Sequence, residues 1–224
     1  MHNSRDLTAA LTQEMQQSMS PADVIRYLKD GNQRFLSDEP VERNLLEQVK
    51  NTADGQYPMA VILGCIDSRV PTEIVFDKGV GDIFSVRIAG NFVNTDILGS
   101  LEFATAVAGS KVIVVLGHTQ CGAVKGACDH VEMGNLTSTL ANLAPAIYRV
   151  DHTEYEPRSS ANGDYVNAVT HANIELTARN IINRSQVIRD LVAEGKVVVI
   201  GALHRVETGA VEFLDDTEIN QDTL

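Results

Sequence analysis

The chain has 224 residues, 44% of them hydrophobic, which is enough for one well-buried core and short for two independent domains. Its formal net charge of −12 excludes nucleic acid and anionic membranes as main partners, because both need a basic footprint on the protein. No apolar run is long enough to span a membrane and the first residues lack a signal peptide's apolar stretch, so we expect a single cytoplasmic domain over residues 1–224.

The N-terminal part, residues 1–40, is polar and is predicted to form a helical arm. Ser20-Pro21 marks a helix start, because serine is a preferred N-cap residue and proline fits the first helical turn. The apolar residues that follow have roughly helical spacing: Val24, Leu28 and Phe35.

Four apolar runs are predicted to be buried strands, separated by helical patterns. The strands are 59–64, 83–89, 111–117 and 196–201, and the helices lie around 71–77, 97–108, 135–148 and within 167–194. Most of these strands are nearly continuous in Val, Ile and Leu, as parallel strands covered on both faces are. The alternation predicts an α/β fold with a central, mainly parallel sheet of four strands flanked by helices.

The C-terminal part is predicted to extend this sheet. Residues 209–214 follow a short turn after the fourth strand, which favours an added antiparallel edge strand. The polar, turn-rich residues 151–166 are predicted to be a surface loop of the same domain.

The chain contains three cysteines: Cys65, Cys121 and Cys128. An odd, sparse set in a chain of this length is not typical of a disulfide scaffold, and it favours metal or redox chemistry in a reducing compartment.

Two of these cysteines and a histidine follow the ends of predicted strands. Cys65 follows the first strand, and His118 and Cys121 follow the third. Because the carboxyl ends of parallel strands share one edge of the sheet, these side chains are expected to converge. Two thiolates and one imidazole suit tetrahedral zinc, and three protein ligands leave the fourth position open, as in catalytic sites.

Asp67 lies two residues after the first of these cysteines, and Arg69 lies two residues further on. Arginine can pair with a carboxylate through two parallel hydrogen bonds, so Arg69 competes with the metal for Asp67. The position of Asp67 relative to the metal then has two possible states. Asp67 is either the fourth metal ligand in a closed state or is held away by Arg69 so that water can bind.

Each of these features also has an ordinary structural explanation. A lone cysteine in an apolar strand is usually a core residue, the spacing of His118 and Cys121 is a weak signal alone, and Asp–Arg pairs are most often structural. A disulfide between Cys65 and Cys121 is a further alternative. All of these residues are expected at one edge of the sheet, and that coincidence favours the metal site. Cys128 has no candidate ligand near it in the sequence pattern and is interpreted as an ordinary thiol.

At these residues the sequence resembles the β-class carbonic anhydrases. The segment CIDSRVPTEIVFDKGVGDIFSVRIAGN is similar to the first signature of that family, and VIVVLGHTQCGAVKGA is similar to the second. The similarity covers roughly residues 20–215, which is nearly the whole domain.

The resemblance implies zinc-dependent reversible hydration of carbon dioxide to bicarbonate and a proton, through attack by a zinc-bound hydroxide. It implies that Cys65, His118 and Cys121 are the zinc ligands. Asp67 and Arg69 correspond to the catalytic dyad that controls the open metal position.

The resemblance also implies a substrate site and an assembly. Gln56 corresponds to a substrate-orienting residue, and Phe84 and Phe103 to apolar positions of the cleft that receives carbon dioxide. In the family this cleft lies at a dimer interface, so a homodimer or a dimer of dimers is expected. The arm at 1–40 is then expected to pack on the partner subunit.

Some positions depart from the family pattern. Ile62 stands where the bicarbonate-inhibited bacterial subtype carries tryptophan, which favours the plant-like subtype. Ile66 replaces a small serine, and His204-Arg205 replace an aromatic residue and an aspartate.

Three other functions remain compatible with the sequence. A hydrolase for carbon disulfide or carbonyl sulfide shares this metal set and differs in access to the site. A zinc-containing regulatory module without catalysis has no need of Asp67, Arg69 and Gln56. A thiol redox sensor that oxidises Cys65 and Cys121 to a disulfide would hold no zinc.

Overall fold

The computed structural model describes residues 6–151 and 153–224. The first five residues of the predicted arm and position 152 of the predicted loop lie outside the described residues.

The described chain contains five strands and ten α-helices, with one π-helical segment, Phe103–Val107, continuing the fifth helix. The strands are β1 (Ala60–Gly64), β2 (Ile83–Arg87), β3 (Val112–His118), β4 (Val198–His204) and β5 (Val211–Ile219). The helices are α1 (Gln13–Ser18), α2 (Pro21–Leu36), α3 (Leu45–Asn51), α4 (Thr72–Val75), α5 (Thr95–Glu102), α6 (Gly122–Cys128), α7 (Gly134–Ala141), α8 (Ala144–Arg149), α9 (Gly163–Arg184) and α10 (Gln186–Ala193).

The strands form one sheet in the order β2-β1-β3-β4-β5. The first four strands in this order are parallel, and β5 pairs with β4 in the antiparallel direction. The structure therefore confirms the predicted sheet, although β5 continues to Ile219, beyond the predicted end.

The sheet is buried on both faces because its central strands carry apolar side chains at successive positions. In β1, Val61 and Leu63 face one core cluster, while Ala60 and Ile62 face the other. Helices α5, α9 and α10 contribute to the first cluster and α2 to the second. This arrangement is the one that continuous Val/Ile/Leu runs predict for parallel strands.

Helix α2 packs on the sheet of its own chain. Ser20 and Asp23 form a capping box at its start, and Val24 and Leu28 are fully buried against the sheet. This helix is therefore part of the domain core, and a contact between the N-terminal region and a partner subunit stays a prediction.

Two further differences from the predicted boundaries involve helices and the loop between them. The helix expected over 135–148 is divided into α7 and α8, because the chain turns at Asn142 and Pro145 opens a new helix. The predicted loop ends earlier, because Asn162 caps α9 through hydrogen bonds to the first backbone amides of that helix.

Among the described residues, no helix combines the length and the apolar character that crossing a membrane requires.

Candidate metal centre

The candidate centre lies where β1 and β3 end. These strands are parallel neighbours, with Gly64 in register with Leu116, so Cys65 and His118 emerge close together. Cys121 is the N-cap residue of α6, which begins immediately after the loop that follows β3. Sheet register and one helix start are thus sufficient to bring the three side chains together.

The ligand atoms of Cys65, His118 and Cys121 all lie within 4.8 Å of one another, and all three residues are buried. The two cysteines are free thiols, with their sulfur atoms 4.0 Å apart. No disulfide joins them in this structure.

The hydrogen bonds of His118 leave one ring nitrogen available. Nδ1 lies 2.9 Å from the carbonyl oxygen of Thr119, to which it donates when protonated. Nε2 is buried and has no hydrogen-bond partner in the described structure. In metal-binding histidines, a hydrogen bond from the ring nitrogen that does not bind the metal fixes the tautomer. Nδ1 makes that bond here, so Nε2 is suited to bind a metal.

The two thiols influence each other strongly. A hydrogen bond from Cys121 lowers the pKa of Cys65, although burial opposes that change. The pKa of Cys121 is in turn raised by the adjacent Cys65 thiolate and by burial. Two buried thiolates at this separation repel each other, and a divalent cation between them removes that repulsion. The donor set therefore fits zinc.

Asp67 is held beside this group by Arg69. The guanidinium donates from Nε to Oδ1 at 2.9 Å and from Nη2 to Oδ2 at 2.7 Å. These bonds hold the pKa of Asp67 well below its usual range. Oδ2 of Asp67 remains 3.9 Å from Nε2 of His118, so the carboxylate lies next to the candidate ligands while Arg69 binds it.

Arg87 also supports the loop after β1, and sequence reasoning missed it. From the edge strand β2 it donates to the carbonyl oxygens of Cys65 at 2.8 Å and Asp67 at 2.6 Å. The only sequence signal was its place within the first signature, which does not indicate these backbone contacts.

The turn between β4 and β5 supports the loop after β3. The Thr119 amide donates to the carbonyl oxygen of His204 at 2.9 Å, and the Thr119 hydroxyl donates to the Glu207 carboxylate at 2.8 Å. The Val206 amide donates to the same hydroxyl at 3.0 Å. The segment between His118 and Cys121 is thereby tied to the neighbouring strand.

His204 is in register with His118 and is only 2% exposed. Burial lowers its pKa to about 4, so the ring is neutral at neutral pH. Both ring nitrogens lack hydrogen-bond partners among the described residues, and nothing in the structure explains the histidine at this position. The adjacent Arg205 pairs with Glu212 at 3.0 Å.

The structure brings together two of the three predicted substrate residues. Phe84 and Phe103 are in contact, with ring centroids 6.2 Å apart and planes at 67°, beside the free edge of β2. Gln56 is exposed and precedes β1, whereas Cys65 follows it. The five residues of β1 span roughly 16 Å. Within one chain, Gln56 therefore lies toward the amino-terminal ends of the strands, away from Cys65.

A family model described as carbonic anhydrase matches residues 60–211. Carbonic anhydrase 2 of Mycobacterium tuberculosis is 33% identical over 210 residues, covering 88% of this chain and 94% of its own length. A Coccomyxa β-carbonic anhydrase in complex with acetazolamide is similar in structure, with 25% identity, a TM-score of 0.65, and coverage of 74% of this chain and 75% of that one. A tetrameric β-carbonic anhydrase from Sordaria macrospora has 25% identity, a TM-score of 0.66, and coverage of 86% and 98%.

Proposed function

This chain belongs to the β-carbonic anhydrase family and is a zinc-dependent carbonic anhydrase, and from that premise we propose how its residues carry out the reaction. Cys65, His118 and Cys121 hold the zinc, and Asp67 with Arg69 controls the open position on the metal. The observation that carries this proposal is the group of three buried ligand atoms within 4.8 Å of one another, beside a carboxylate that an arginine holds.

Zinc bound there supplies the Lewis acidity that makes water a nucleophile near neutral pH. The remaining work falls to the chain itself. Arg69 keeps Asp67 ionised, because its two hydrogen bonds favour the charged carboxylate. Oδ1 already accepts from both the backbone amide and Nε of Arg69, whereas Oδ2 accepts only from Nη2. Oδ2 therefore has a lone pair free to accept a hydrogen bond from the reacting water and to orient it toward the substrate.

Carbon dioxide is small and apolar, and the Phe84–Phe103 surface suits it. The two rings line a surface cavity of about 540 Å³ together with residues of α5. The residues that line this cavity do not include those of the metal centre, and Phe84 is in register with Val61, near the start of β1. In our proposal this surface therefore takes part in the cleft at the interface with a second subunit. Gln56 donates a hydrogen bond to a substrate oxygen, and because it lies far from Cys65 within one chain, it comes from a second subunit.

A homodimer, or a dimer of dimers, completes the proposed site. Strand β2 is an unpaired edge of the sheet, and such edges are ready to associate with another chain. Large apolar side chains on this side are exposed: Ile74, Val80 and Phe103. Covering them with a second copy removes apolar surface from water and places the cleft at the interface.

The proposal also includes the subtype of the enzyme and its location in the cell. Ile62 is fully buried in β1 and offers no indole group, which supports the plant-like subtype. The three unpaired cysteines support a cytoplasmic location, because disulfides are rare in reducing compartments.

The proposal is tested by measuring zinc content and carbon dioxide hydration on one purified sample. We expect about one zinc per chain, loss of hydration when a chelator removes the metal, and recovery when zinc is returned. Carbonyl sulfide is the control substrate. A sample with full zinc that consumes carbonyl sulfide but leaves carbon dioxide unreacted would contradict the proposed substrate and support the related hydrolase.

A further inference from the structure

The turn that follows β2 contacts the metal centre through its backbone. The Asn91 amide donates to the carbonyl oxygen of Ile88 at 2.9 Å, and Gly90 has a φ of 84°, which is the geometry of a type II turn. The Gly90 amide is not used in that turn. It donates instead to the sulfur of Cys65 at 3.4 Å, in a buried position.

The carbonyl oxygen of Gly90 is bound from a distant part of the chain. Asn173, in the middle of α9, donates to it from Nδ2 at 2.8 Å and is only 3% exposed. Asparagine is a poor helix former and its amide is costly to bury without a partner. The hydrogen bond to Gly90 accounts for an amide at this buried helical position.

Two hydrogen bonds therefore link α9 to a candidate zinc ligand through one glycine. Asn173 holds the peptide after Gly90, and the turn closure at Ile88 holds the backbone before it. A side chain at Gly90 would place its Cβ 3.0 Å from Leu143, so the residue is also confined by the core. The peptide between residue 89 and Gly90 is the one whose orientation distinguishes type I from type II turns, and the positive φ of Gly90 goes with the orientation in which its N–H faces Cys65.

We propose that Asn173 is a positioning residue of the metal centre, which acts by keeping the Gly90 N–H directed at the Cys65 sulfur. This inference rests on the proposed function, because it assumes that Cys65 is a zinc ligand. A hydrogen bond to a ligand sulfur withdraws charge from it, and partners of this kind typically change metal affinity or activity by about 10- to 100-fold.

The first test compares Asn173→Leu and Asn173→Asp with Thr170→Val. The two Asn173 substitutions remove the donor with different shapes and charges. Thr170 is a matched control, since it is buried one turn earlier in α9 and its hydroxyl donates only within the helix, to Val166 at 2.8 Å.

We expect both Asn173 variants to bind zinc about tenfold more weakly in competition with a chromophoric chelator. In the cobalt-substituted protein, loss of the N–H···S bond raises the energy of the sulfur lone pair, so the thiolate-to-metal absorption band moves to longer wavelength. Thr170→Val should leave both readouts unchanged. Unaltered zinc affinity and an unshifted band in the Asn173 variants would overturn the proposal.

A second test uses the unaltered sequence and does not depend on whether the variants fold. With cadmium-113 in place of zinc, a hydrogen bond to a ligand sulfur transmits scalar coupling from the metal to the amide proton. We expect a cadmium-coupled signal from Gly90. An assigned Gly90 amide without that coupling would refute the positioning role.

These readouts also separate this inference from the proposed reaction. Neither experiment uses carbon dioxide. A protein that binds metal and shows the Gly90 coupling but hydrates no carbon dioxide would contradict the proposed function alone.

Discussion

Cys65 and Cys128 are both buried thiols, and their surroundings give them different chemistry. Cys65 lies within reach of a second thiol and an imidazole with a free ring nitrogen. Burial raises the pKa of Cys128 to about 11, and the nearby Asp129 charge adds to this shift. Cys128 therefore stays protonated at neutral pH, as expected for an ordinary core thiol.

Replacing Cys65 by serine should remove most of the bound zinc, because a hydroxyl is a poor substitute for a thiolate on this metal. The matched control is Cys128→Ser, which should retain about one zinc per chain. Zinc content is measured by mass spectrometry on folded protein of each variant. Equal zinc in the two variants would mean that Cys65 is not a ligand.

How much of the metal centre could be predicted from the sequence depends on where each of its residues lies in the fold. Cys65 follows β1 and His118 is the last residue of the neighbouring parallel strand β3, so their convergence could be inferred from the strand pattern. Arg87 and Asn173 act through backbone carbonyl groups, and such contacts depend on tertiary packing that no local pattern encodes. Gln56 matches the family by position, yet its distance from Cys65 became apparent only from the sheet.

At the scale of elements, helix α2 is joined to the segment after α4 by close packing. Gly31 lies in the middle of α2, and a Cβ there would come within 1.9 Å of the carbonyl oxygen of Phe76. A glycine inside a helical pattern weakens the prediction of a continuous helix, because glycine is a poor helix former. The structure shows a continuous helix in which glycine permits a close backbone approach.

Gly31→Ala should destabilise the protein by about 2 kcal/mol, because the added methyl group forces two backbones apart. Gly99→Ala is the control, since Gly99 lies within α5 and a Cβ there has no heavy atom within 4 Å. That change should be neutral or stabilise by up to about 1 kcal/mol. Denaturant unfolding measures both, and similar free energies for the two variants would contradict the packing argument.

Asp77 connects the same elements through charge. It is buried, accepts a 2.6 Å hydrogen bond from Arg34 of α2, and also pairs with Arg43 in the following loop. Burial raises the pKa of Asp77, but the two arginines outweigh that effect and hold it below the usual value. The folded state therefore favours the ionised carboxylate.

This pKa shift makes part of the stability dependent on pH. A carboxylate whose pKa is lower in the folded protein than in the unfolded chain stabilises the fold at pH values above the unfolded pKa of about 3.9. That stabilisation is lost as the pH falls through the folded pKa. Asp77→Asn should cost about 3 kcal/mol at neutral pH and progressively less below about pH 4. Asparagine tolerates the positive φ of 46° at this position, so the backbone is not an additional source of strain.

The measurement is chemical denaturation of both proteins at several pH values. A stability difference that stays constant from neutral pH to the acid range would contradict the role assigned to Asp77.

Element types were easier to predict than element ends. The strands follow from apolar runs, but the division between α7 and α8 depends on the turn at Asn142. The start of α9 depends on capping by Asn162. Such boundaries are set by a few hydrogen bonds, which hydrophobic periodicity does not register.

At the scale of the whole molecule, the proposed dimer depends on the exposed apolar surface beside β2. Ile74 is 59% exposed and lies in α4, next to this edge strand. Met133 is similarly apolar and 64% exposed, but it precedes α7, outside the surface that we assign to the interface.

Ile74→Glu should therefore weaken the dimer, because it would bury a charge in the interface. Met133→Glu should leave the assembly intact. Analytical ultracentrifugation over a range of concentrations gives the mass of each variant. We expect carbon dioxide hydration to fall with the dimer population, since Gln56 is proposed to come from the second subunit, and a fully active monomer would contradict that arrangement.

The most direct test of the account is stopped-flow hydration of carbon dioxide by the unaltered enzyme and by Asp67→Asn, with zinc measured on the same samples. We predict full zinc in both proteins and a loss of about 100-fold or more in turnover for the variant, because the oriented carboxylate is gone while the three ligands remain. An Asp67→Asn enzyme with full zinc and undiminished turnover would contradict the role of the Asp67–Arg69 pair.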